Sequence, residues 1–305
     1  MAPEVSAIIP TYNRAMAGAA VESALHQTDV DFELIVVDDG STDFTCEQMR
    51  ETYRSNPRFR MIRIEHRGPA AARNAGVAAA SAPMIAFLDS DDLWAPDKLA
   101  RQLRFMRAHR EFRISQCREY WLREGRRVNP GRRHLKRAGD LFIDSLRTCL
   151  ISPSAVIMEK ALFNEMSGFD EDLAAAEDYD LWLRILVEHE VGLLDEELVT
   201  RRSGHRDQLS ATVVAIDRFR VLALMKLLQN PKLSSERRAA VRDALVEKVG
   251  IYSKGLRRRG RDAEADFHEA LAIDAQSRWR EAGDDSLSDA IARLRAMLRA
   301  QAVAG

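Results

Sequence analysis

The first hundred residues alternate between short apolar runs and longer segments of helical composition. The apolar runs lie at Val5–Ile9, Glu33–Val37, Arg60–Ile64 and Met84–Leu88, and the segments between them at Ala15–Gln27, Thr42–Ser55 and Ala70–Ala80. Strands that are apolar throughout, rather than alternating, are typical of a sheet covered on both faces. The repeated strand–helix order therefore predicts an α/β domain with a mostly parallel, twisted sheet and helices on both faces.

The pattern changes further along the chain. We predict a helix over 97–110, strands over Phe112–Trp121, Leu150–Met158 and 191–199, and helices over 159–166 and 178–188. Residues 123–140 are rich in arginine, glycine and proline, which indicates a basic loop. After residue 210 the pattern is wholly helical, with breaks at Pro231 and Gly260. We therefore expect an α/β domain over residues 1–210 and a helical extension over 211–305 that serves packing or oligomerisation.

Charge and composition argue against several classes of protein, namely nucleic-acid-binding, cysteine-metal and membrane-spanning proteins. Lys plus Arg (46) almost balances Asp plus Glu (47), so nothing electrostatic favours nucleic acid as a partner. The three cysteines are odd in number and lack the spacing of a metal site, which favours reduced thiols in a cytoplasmic protein. No apolar stretch approaches the ~18 residues that span a bilayer, and no signal-peptide pattern is evident. Membrane contact is expected to be peripheral at most. The basic segment 123–140 could attract an anionic acceptor or a lipid headgroup, and a solvated loop is the favoured interpretation.

Three carboxylates follow the fourth apolar run, in the sequence Phe87-Leu-Asp-Ser-Asp-Asp92. Carboxylates this close together repel one another. A hard divalent cation such as Mg²⁺ or Mn²⁺ takes oxygen ligands and commonly lies between protein carboxylates and substrate phosphates. This run is therefore a candidate metal site. For Asp92 the favoured interpretation is a cap on the helix that begins near Pro96.

A second acidic pair, Asp38 and Asp39, ends the second apolar run and precedes a glycine turn. Ligands of open α/β sheets bind beyond the carboxyl ends of the strands, so this pair, the three carboxylates and Pro10-Thr-Tyr12 should share one edge. One of the two acids is expected to accept a hydrogen bond from a base or a ribose; a helix cap and turn is the structural alternative. Arg73 can hold a phosphate or a carboxylate, or pair with one of these two acids.

Five motifs occur in a fixed order: Ala7-Ile-Ile-Pro-Thr-Tyr-Asn-Arg14, Val37-Asp-Asp-Gly-Ser-Thr-Asp43, Gly68–Gly76, Phe87–Asp92 and Glu177-Asp178. With them the chain resembles the inverting family 2 glycosyltransferases of the GT-A fold over roughly residues 4–210. The set is specific for the family and says little about the substrate. The resemblance implies a nucleotide-diphosphate-sugar donor, with UDP-sugars first, a divalent metal (Mn²⁺ or Mg²⁺), one catalytic base, and a glycan, lipid-linked or small hydroxyl acceptor.

The resemblance also implies roles for individual residues. Those expected to bind the nucleotide sugar are Pro10, Thr11, Tyr12, Arg14, Asp39, Arg73, Asp89, Ser90 and Arg202. Asp91 would ligate the metal directly, with Asp89 and His205 as further candidates. Asp178 matches the position of the base that takes the proton of the acceptor hydroxyl, and Glu177 would orient that base or hold the acceptor. First-turn acids favoured by the helix dipole are the structural alternative, and Asp180 is expected to be structural.

Two other functions share parts of this pattern. A sugar-nucleotide pyrophosphorylase would need a glycine-rich loop with arginine and lysine after the first strand, which Pro10-Thr-Tyr-Asn-Arg-Ala15 does not supply. A non-catalytic sugar-nucleotide-binding or polysaccharide-assembly module would retain the fold and bind the donor without turnover. Replacing Asp178 would leave the function of such a module intact.

Overall fold

A computed structural model describes residues 2–129, 131, 134–204 and 215–303. Its strands are β1 Val5–Thr11, β2 Phe32–Asp38, β3 Phe59–Arg63, β4 Met84–Phe87, β5 Leu93–Trp94, β6 Ile114–Arg123, β7 Arg126–Val128, β8 Val156–Glu159 and β9 Gly192–Ser203. Its helices are α1 Ala17–Leu25, α2 Thr45–Tyr53, α3 Pro69–Ala79, α4 Lys98–Ala108, α5 Phe142–Arg147, α6 Lys160–Glu165, α7 Glu177–Leu186, α8 Asp217–Leu228, α9 Ser235–Arg258, α10 Asp262–Ser277 and α11 Asp285–Val303. The α/β class predicted from the sequence is confirmed.

Within the described residues, the strands form one sheet in the order β3-β2-β1-β4-β8-β6-β9-β5, and β7 pairs with β6. Strands β3, β2, β1 and β4 are parallel, as their apolar runs predict. The later strands pair in both directions, because β8 is antiparallel to β4 and to β6 whereas β9 is parallel to β6. Strands β1, β2, β4, β6 and β9 therefore all run in one direction, and their carboxyl ends lie at one edge of the sheet.

Strands β1, β2 and β4 are largely buried because helices pack on them, whereas β3 at the end of the sheet is partly exposed. Every residue of β1 is buried. Helix α3 approaches β1 so closely that a Cβ atom added at Gly76 would lie 2.4 Å from Cγ2 of Ile8. Real Cβ atoms do not come this near to another heavy atom, so glycine is required where α3 meets the sheet.

The basic segment predicted as a loop contains a hairpin. Strand β6 runs to Arg123, turns through Glu124 and Gly125, and returns as β7. Both turn residues have positive φ angles, +49° and +77°, which a two-residue type I′ hairpin requires. Strand β9 also continues past its predicted end at residue 199, because residues 199–203 pair with 119–123 of β6.

The described chain forms two compact units. The residues up to Leu141, Cys149–Glu171 and those from His189 to Gly204 form the first; Phe142–Thr148, Asp172–Glu188 and those from Ala215 onward form the second. Helix α7, which the sequence predicts within the α/β domain, thus groups with the C-terminal helices. The expected boundary near residue 210 lies outside the described residues. Among the described helices, none combines the length and the apolarity that a membrane crossing demands.

The second unit packs around the apolar face of α7. Four residues of that face are buried, namely Leu181, Trp182, Ile185 and Leu186. Helix α9 starts after Ser234, whose hydroxyl oxygen accepts a hydrogen bond from the amide of Arg237 at 3.2 Å. This cap satisfies one of the unpaired amides at the start of the helix.

Candidate functional site

The carboxyl ends of β1, β2 and β4 form the edge where most of the predicted site residues lie. In the sheet register, Thr11 of β1 pairs with Asp38 of β2. Asp38 is fully buried; its Oδ1 accepts a hydrogen bond from the amide of Ser41 at 2.8 Å, and Arg63 lies 3.5 Å from its Oδ2. The turn that was the structural alternative for one of the two acids is therefore made by Asp38.

Asp39, the next residue, holds the segment that leads into α3. Its carboxylate accepts hydrogen bonds from the amides of Arg67 and Gly68, each at 2.8 Å, and lies 2.9 Å from Nδ1 of His66. The amide of Asp39 donates to the carbonyl of Thr11 at 2.9 Å. The Asp39 side chain is buried. Its hydrogen bonds join the ends of β1 and β2 to the start of α3.

An aromatic pair lies above this carboxylate. The rings of Tyr12 and His66 stack with centroids 3.9 Å apart and an interplanar angle of 19°. Both side chains are exposed, so the pair presents a flat surface at the end of β1. The sequence predicts Tyr12 at the site but not His66. The position of His66 depends on the turn whose amides donate to the carboxylate of Asp39.

The motif at the end of β1 contains both buried and exposed residues. Pro10 and Thr11 are buried in β1, so they support the edge without being exposed to solvent. Asn13, which the sequence analysis did not single out, accepts a hydrogen bond from the amide of Thr42 at 2.7 Å through its Oδ1. Asn13 thus joins the loop after β1 to the loop after β2. The ring of Tyr12, the residue before Asn13, is exposed to solvent.

The three carboxylates after β4 converge. One carboxylate oxygen each from Asp89, Asp91 and Asp92 lies within 4.8 Å of the others. Arg73 of α3 donates to Oδ1 of Asp89 at 2.7 Å, and Nη1 of Arg14 lies 3.5 Å from Oδ2 of Asp91. The positive charges of Arg73 and Arg14 therefore offset the repulsion among the three carboxylates.

Asp92 does not cap a helix, contrary to the expectation from the sequence. Helix α4 begins at Lys98, and the residue before it is Asp97. Asp92 instead accepts hydrogen bonds from the hydroxyl of Ser154 at 2.7 Å and from the amide of Arg202 at 3.0 Å. Both partners come from distant parts of the chain, which is why local sequence favoured the simpler interpretation.

Residues 89–92 form a short acidic loop, and Ser154 joins its two ends. Its hydroxyl oxygen also accepts a hydrogen bond from the amide of Asp89 at 3.1 Å. Burial, followed by the charges of Asp89 and Asp91, raises the pKa of Asp92 well above its usual range. Asp92 is therefore a buried support of the loop rather than a group open to solvent.

Arg202 lies at the end of β9 against the same loop. In addition to its amide contact with Asp92, its Nε donates to the carbonyl oxygen of Asp91. Ser90 is buried within the loop. His205 lies outside the described residues, so its expected role as a metal ligand stays a prediction.

The donor set of the acidic loop suits a hard divalent cation. Its groups are carboxylates, whose oxygens Mg²⁺ and Mn²⁺ prefer. The side chains of Asp89 and Asp91 are 30% and 19% exposed, whereas both oxygens of buried Asp92 already accept hydrogen bonds. Asp89 and Asp91 are thus the members of the loop best able to accept a metal.

The second unit carries the two acids expected to take part in catalysis. Glu177 and Asp178 form the first turn of α7, where the helix dipole favours negative charge. The preceding residue, Ala176, has a left-handed backbone with φ +61°. Glu177 is 4% exposed and Asp178 is half-buried, so Asp178 is the more accessible of the two.

Asp180 has the surroundings of a structural residue. Its side chain is 1% exposed and lies 2.6 Å from Nζ of Lys226 in α8 and 2.7 Å from Nη2 of Arg184. The pair with Lys226 holds α7 against α8, whereas the pair with Arg184 lies within α7. The helix that bears Asp178 is therefore anchored within its own unit.

A comparison with protein families decides where the chain belongs. The model of glycosyl transferase family 2 matches residues 6–166, just over half of the chain, and this match includes Asp39, Asp89 and Asp91. The chain belongs to glycosyl transferase family 2. The resemblance drawn from the five motifs is thus confirmed.

Two curated relatives of this family-2 chain are considerably longer proteins. It is 37% identical over 202 residues to a glycosyltransferase of Rickettsia felis, a match that covers 64% of this chain and 32% of that protein. It is 33% identical over 187 residues to the chondroitin synthase of Pasteurella multocida, covering 60% of this chain and 19% of the synthase. The chain spans about a third or less of the length of these relatives.

Solved structures share the fold of this family-2 chain. S. aureus TarS residues 1–349 in complex with UDP-GlcNAc matches with a TM-score of 0.70 at 20% identity, covering 97% of this chain and 86% of TarS. The mannosyltransferase PcManGT from Pyrobaculum calidifontis, in complex with GDP-Man and Mn²⁺, matches with a TM-score of 0.57 at 19% identity, covering 99% and 87%. These likenesses bear out the GT-A fold.

Proposed function

We propose that this chain transfers a sugar, with inversion at the anomeric carbon, from a nucleotide-diphosphate-sugar donor to an acceptor hydroxyl. Membership of family 2 supports sugar transfer. Proteins of the same fold bind UDP-GlcNAc or GDP-Man, which supports a nucleotide sugar as the donor, with UDP-sugars first. The likeness to a chondroitin synthase supports a glycan as the acceptor.

The observation that carries the proposal is the acidic loop after β4, at the same edge as Asp39. A nucleotide diphosphate presents a flat base and a ribose at one end and strongly anionic phosphates beside them. It therefore needs an aromatic or polar surface next to a centre of positive charge. Strands β3, β2, β1 and β4 are neighbours in the sheet. The segments that follow them supply the Tyr12–His66 pair, Asp39 and the carboxylates of the acidic loop, which would hold a divalent cation.

The diphosphate belongs at the acidic loop. A divalent cation held there by Asp91 and Asp89 would neutralise the negative charge of the departing diphosphate. Arg14 and Arg202 both contact Asp91, so their guanidinium groups lie beside the acidic loop. Guanidinium groups pair well with phosphate oxygens. Arg73 keeps Asp89 in position.

Asp178 is the proposed general base. It takes the proton of the acceptor hydroxyl while the hydroxyl oxygen bonds to the anomeric carbon of the donor. The bond from that carbon to the diphosphate oxygen breaks in the same step, and its electron pair leaves with the diphosphate. A single displacement of this kind inverts the anomeric centre. Glu177, buried next to Asp178, is proposed to orient the base or to hold the acceptor.

Two measurements test the proposal. A thermal-shift panel of UDP-, GDP- and dTDP-sugars with Mn²⁺ identifies the donor, because a ligand that binds only the folded state raises the unfolding midpoint. Release of free nucleotide from that donor, with and without Mn²⁺, then measures turnover. Metal-dependent release is the expected result. Stabilisation without any release would favour a non-catalytic binding module, and a panel in which no nucleotide sugar stabilises the protein would contradict the donor class.

The remaining expectations concern location and partners. A cytoplasmic location, peripheral membrane contact through the basic segment and self-association through the C-terminal helices stay predictions.

A further inference from the structure

Beyond the acidic loop, the same edge of the sheet carries a second group of charged side chains. The strand order places β8, β6 and β9 after β4. Because β6 and β9 run in the direction of β4, their residues Glu119, Trp121 and Arg201 lie near the carboxyl edge. Asp39, the acidic loop and this group therefore follow one another along the edge.

Glu119 is the centre of this group. Its side chain is 3% exposed, with Nζ of Lys136 3.4 Å from Oε1 and Nη1 of Arg201 3.9 Å from Oε2. The hydroxyl of Ser152 and the indole N–H of Trp121, the latter at 2.9 Å, donate to the same carboxylate. Burial alone would raise the pKa of Glu119, but these partners lower it to about 2, so the carboxylate is ionised at neutral pH.

The Glu119 group, defined as Glu119, Lys136, Arg201, Trp121 and Ser152, has a net positive charge. Two cations face one carboxylate, and Arg201 is the exposed member, at 37% against 7% for Lys136. The Arg201 guanidinium also lies 4.8 Å from the centroid of the Trp121 ring. Stacking and the nearby carboxylate together fix the orientation of a guanidinium that solvent can reach.

The Glu119 group is physically joined to the acidic loop. Ser152 contacts Glu119, and Ser154, two residues later, contacts Asp92. On β9, Arg201 belongs to the Glu119 group, and the amide of the next residue donates to Asp92. The positive charge of Arg201 also opposes the rise in the pKa of Asp92. The Glu119 group is thus adjacent to the acidic loop, on the side away from Asp39.

We propose that Arg201 binds a negatively charged group of the acceptor, a carboxylate or a phosphate, and that Glu119 and Trp121 hold its guanidinium in place. This inference rests on the proposed function, because it assigns the acceptor side of that site. A donor with its base near Asp39 and its diphosphate at the acidic loop directs its sugar toward β6 and β9. An acceptor that attacks this sugar approaches from the same side, where the exposed guanidinium can pair with an oxyanion.

The test measures acceptor binding directly by titration calorimetry. The variants are Arg201→Gln and Arg201→Lys. The probes are an oligosaccharide with glucuronate carboxylates, the same oligosaccharide with its carboxyl groups reduced to alcohols, and a glycerol-phosphate oligomer. UDP with Mn²⁺ is titrated into the same proteins as a measure of donor-site binding. Thermal melts confirm that each variant is folded.

The chain offers a matched control in Arg127. Its Nη2 lies 3.1 Å from Glu197, and its guanidinium lies 4.5 Å from the centroid of the Tyr120 ring. This is the same combination of carboxylate and aromatic ring. Because Tyr120 and Trp121 are consecutive on β6, they point to opposite faces of the sheet. Arg127→Gln therefore removes an equivalent charge from the other face.

The wild type is expected to bind at least one anionic probe more tightly than the reduced oligosaccharide. Arg201→Gln should weaken that binding about tenfold, as loss of a charged hydrogen bond implies. Arg201→Lys should weaken it less, and Arg127→Gln should leave it unchanged. The anionic probe that binds better identifies the acceptor group as a carboxylate or a phosphate.

Three results would overturn the assignment. They are equal binding of the reduced and anionic probes by the wild type, unchanged binding by Arg201→Gln, and a loss of UDP affinity in that variant, which would place Arg201 on the donor side. Failure of the proposed function is a separate observation, because it shows as absent nucleotide release and does not depend on these probes.

Discussion

Arg73 and Asp89 form a partly buried ion pair, in which the guanidinium of Arg73 donates to Oδ1 of Asp89 at 2.7 Å. The same guanidinium lies 5.4 Å from the centroid of the Phe169 ring, and the arginine side chain is 7% exposed. From the sequence, Arg73 is expected to bind a ligand or to pair with Asp38 or Asp39. The structure pairs Arg73 with Asp89 rather than with either of these acids, so that Arg73 holds a carboxylate of the acidic loop; its expected contact with the ligand stays a prediction.

We predict that Arg73→Met lowers the free energy of unfolding by about 1–2 kcal/mol, because it leaves Asp89 facing two other acids without this partner. Donor affinity should fall as well, since Asp89 loses its orientation. Urea unfolding and calorimetry with the donor measure the two effects. Arg67→Met is the control: Arg67 pairs with Glu171 at the surface and is 63% exposed, so the change should cost less than about 0.5 kcal/mol. Equal stability of the two variants would contradict the prediction.

Asp91→Asn should remove the metal dependence of donor binding. The amide keeps the shape of the side chain but loses the charge that attracts a divalent cation. Donor affinity of the variant, measured with Mn²⁺ and with EDTA, should be nearly the same, whereas the wild type should bind more tightly with Mn²⁺. Asp195→Asn, at a 66% exposed acid that pairs with Arg118, should behave as the wild type. A variant at position 91 that still responds to Mn²⁺ would refute the metal role.

Asp178→Asn should lower turnover by a factor on the order of 10²–10⁴ while donor affinity stays the same, because the base acts on the acceptor. Glu177→Gln should reduce turnover less. Initial rates of nucleotide release at saturating donor, together with calorimetry, separate chemistry from binding. Full activity of Asp178→Asn would exclude this residue as the base.

Glu119 should make stability depend on pH in the acid range. Its pKa is lowered from 4.5 to about 2 in the folded protein, so its ionised form stabilises the fold above pH 4.5 and this contribution is lost as the pH falls toward 2. At pH 7 the contribution is about 3 kcal/mol, the equivalent of that pKa shift. Glu119→Gln should therefore be destabilised by a similar amount at pH 7, and the difference from the wild type should shrink below pH 4.5. Urea unfolding at pH 7, 4.5 and 3 measures this difference, and a constant difference would contradict the role of charge.

Two glycine-to-alanine changes test the packing of α3. Gly76→Ala should destabilise the protein by about 2 kcal/mol, because the new methyl group overlaps Ile8 of β1. Gly18→Ala in α1 adds the same group where nothing lies within 4 Å, and alanine favours helix, so we expect a gain of about 0.5 kcal/mol. Thermal unfolding of both variants compares the two effects. Equal changes in the unfolding midpoint would show that helix propensity, rather than contact with the sheet, decides the result.

The sequence predicts the edge of the sheet well because that edge follows from local patterns. Apolar runs define the parallel strands, and polar residues directly after them must lie at the carboxyl edge. Asp39 and Asp89 were placed in this way, and the structure has both of them there.

The partners of these residues could not be predicted in the same way. Asp92 accepts hydrogen bonds from Ser154 and from the amide of Arg202, which are 62 and 110 residues away. The local sequence does not contain these partners and therefore favours a helix cap. His66 joins the site because Asp39 shapes the turn in which it lies. Glu119 and Arg201 meet only through the parallel pairing of β6 and β9. Each of these contacts depends on strand order, which periodicity along the chain does not encode.

Ser154 uses its hydroxyl group twice, as donor to Asp92 and as acceptor from the amide of Asp89. Its proton is therefore committed to a carboxylate, and the fully buried oxygen has no room to turn toward a substrate. A covalent glycosyl adduct on this oxygen would break both contacts and push the two ends of the loop apart. A two-step route with net retention of configuration is thus closed at this serine, although its hydroxyl lies within hydrogen-bonding distance of a carboxylate of the acidic loop.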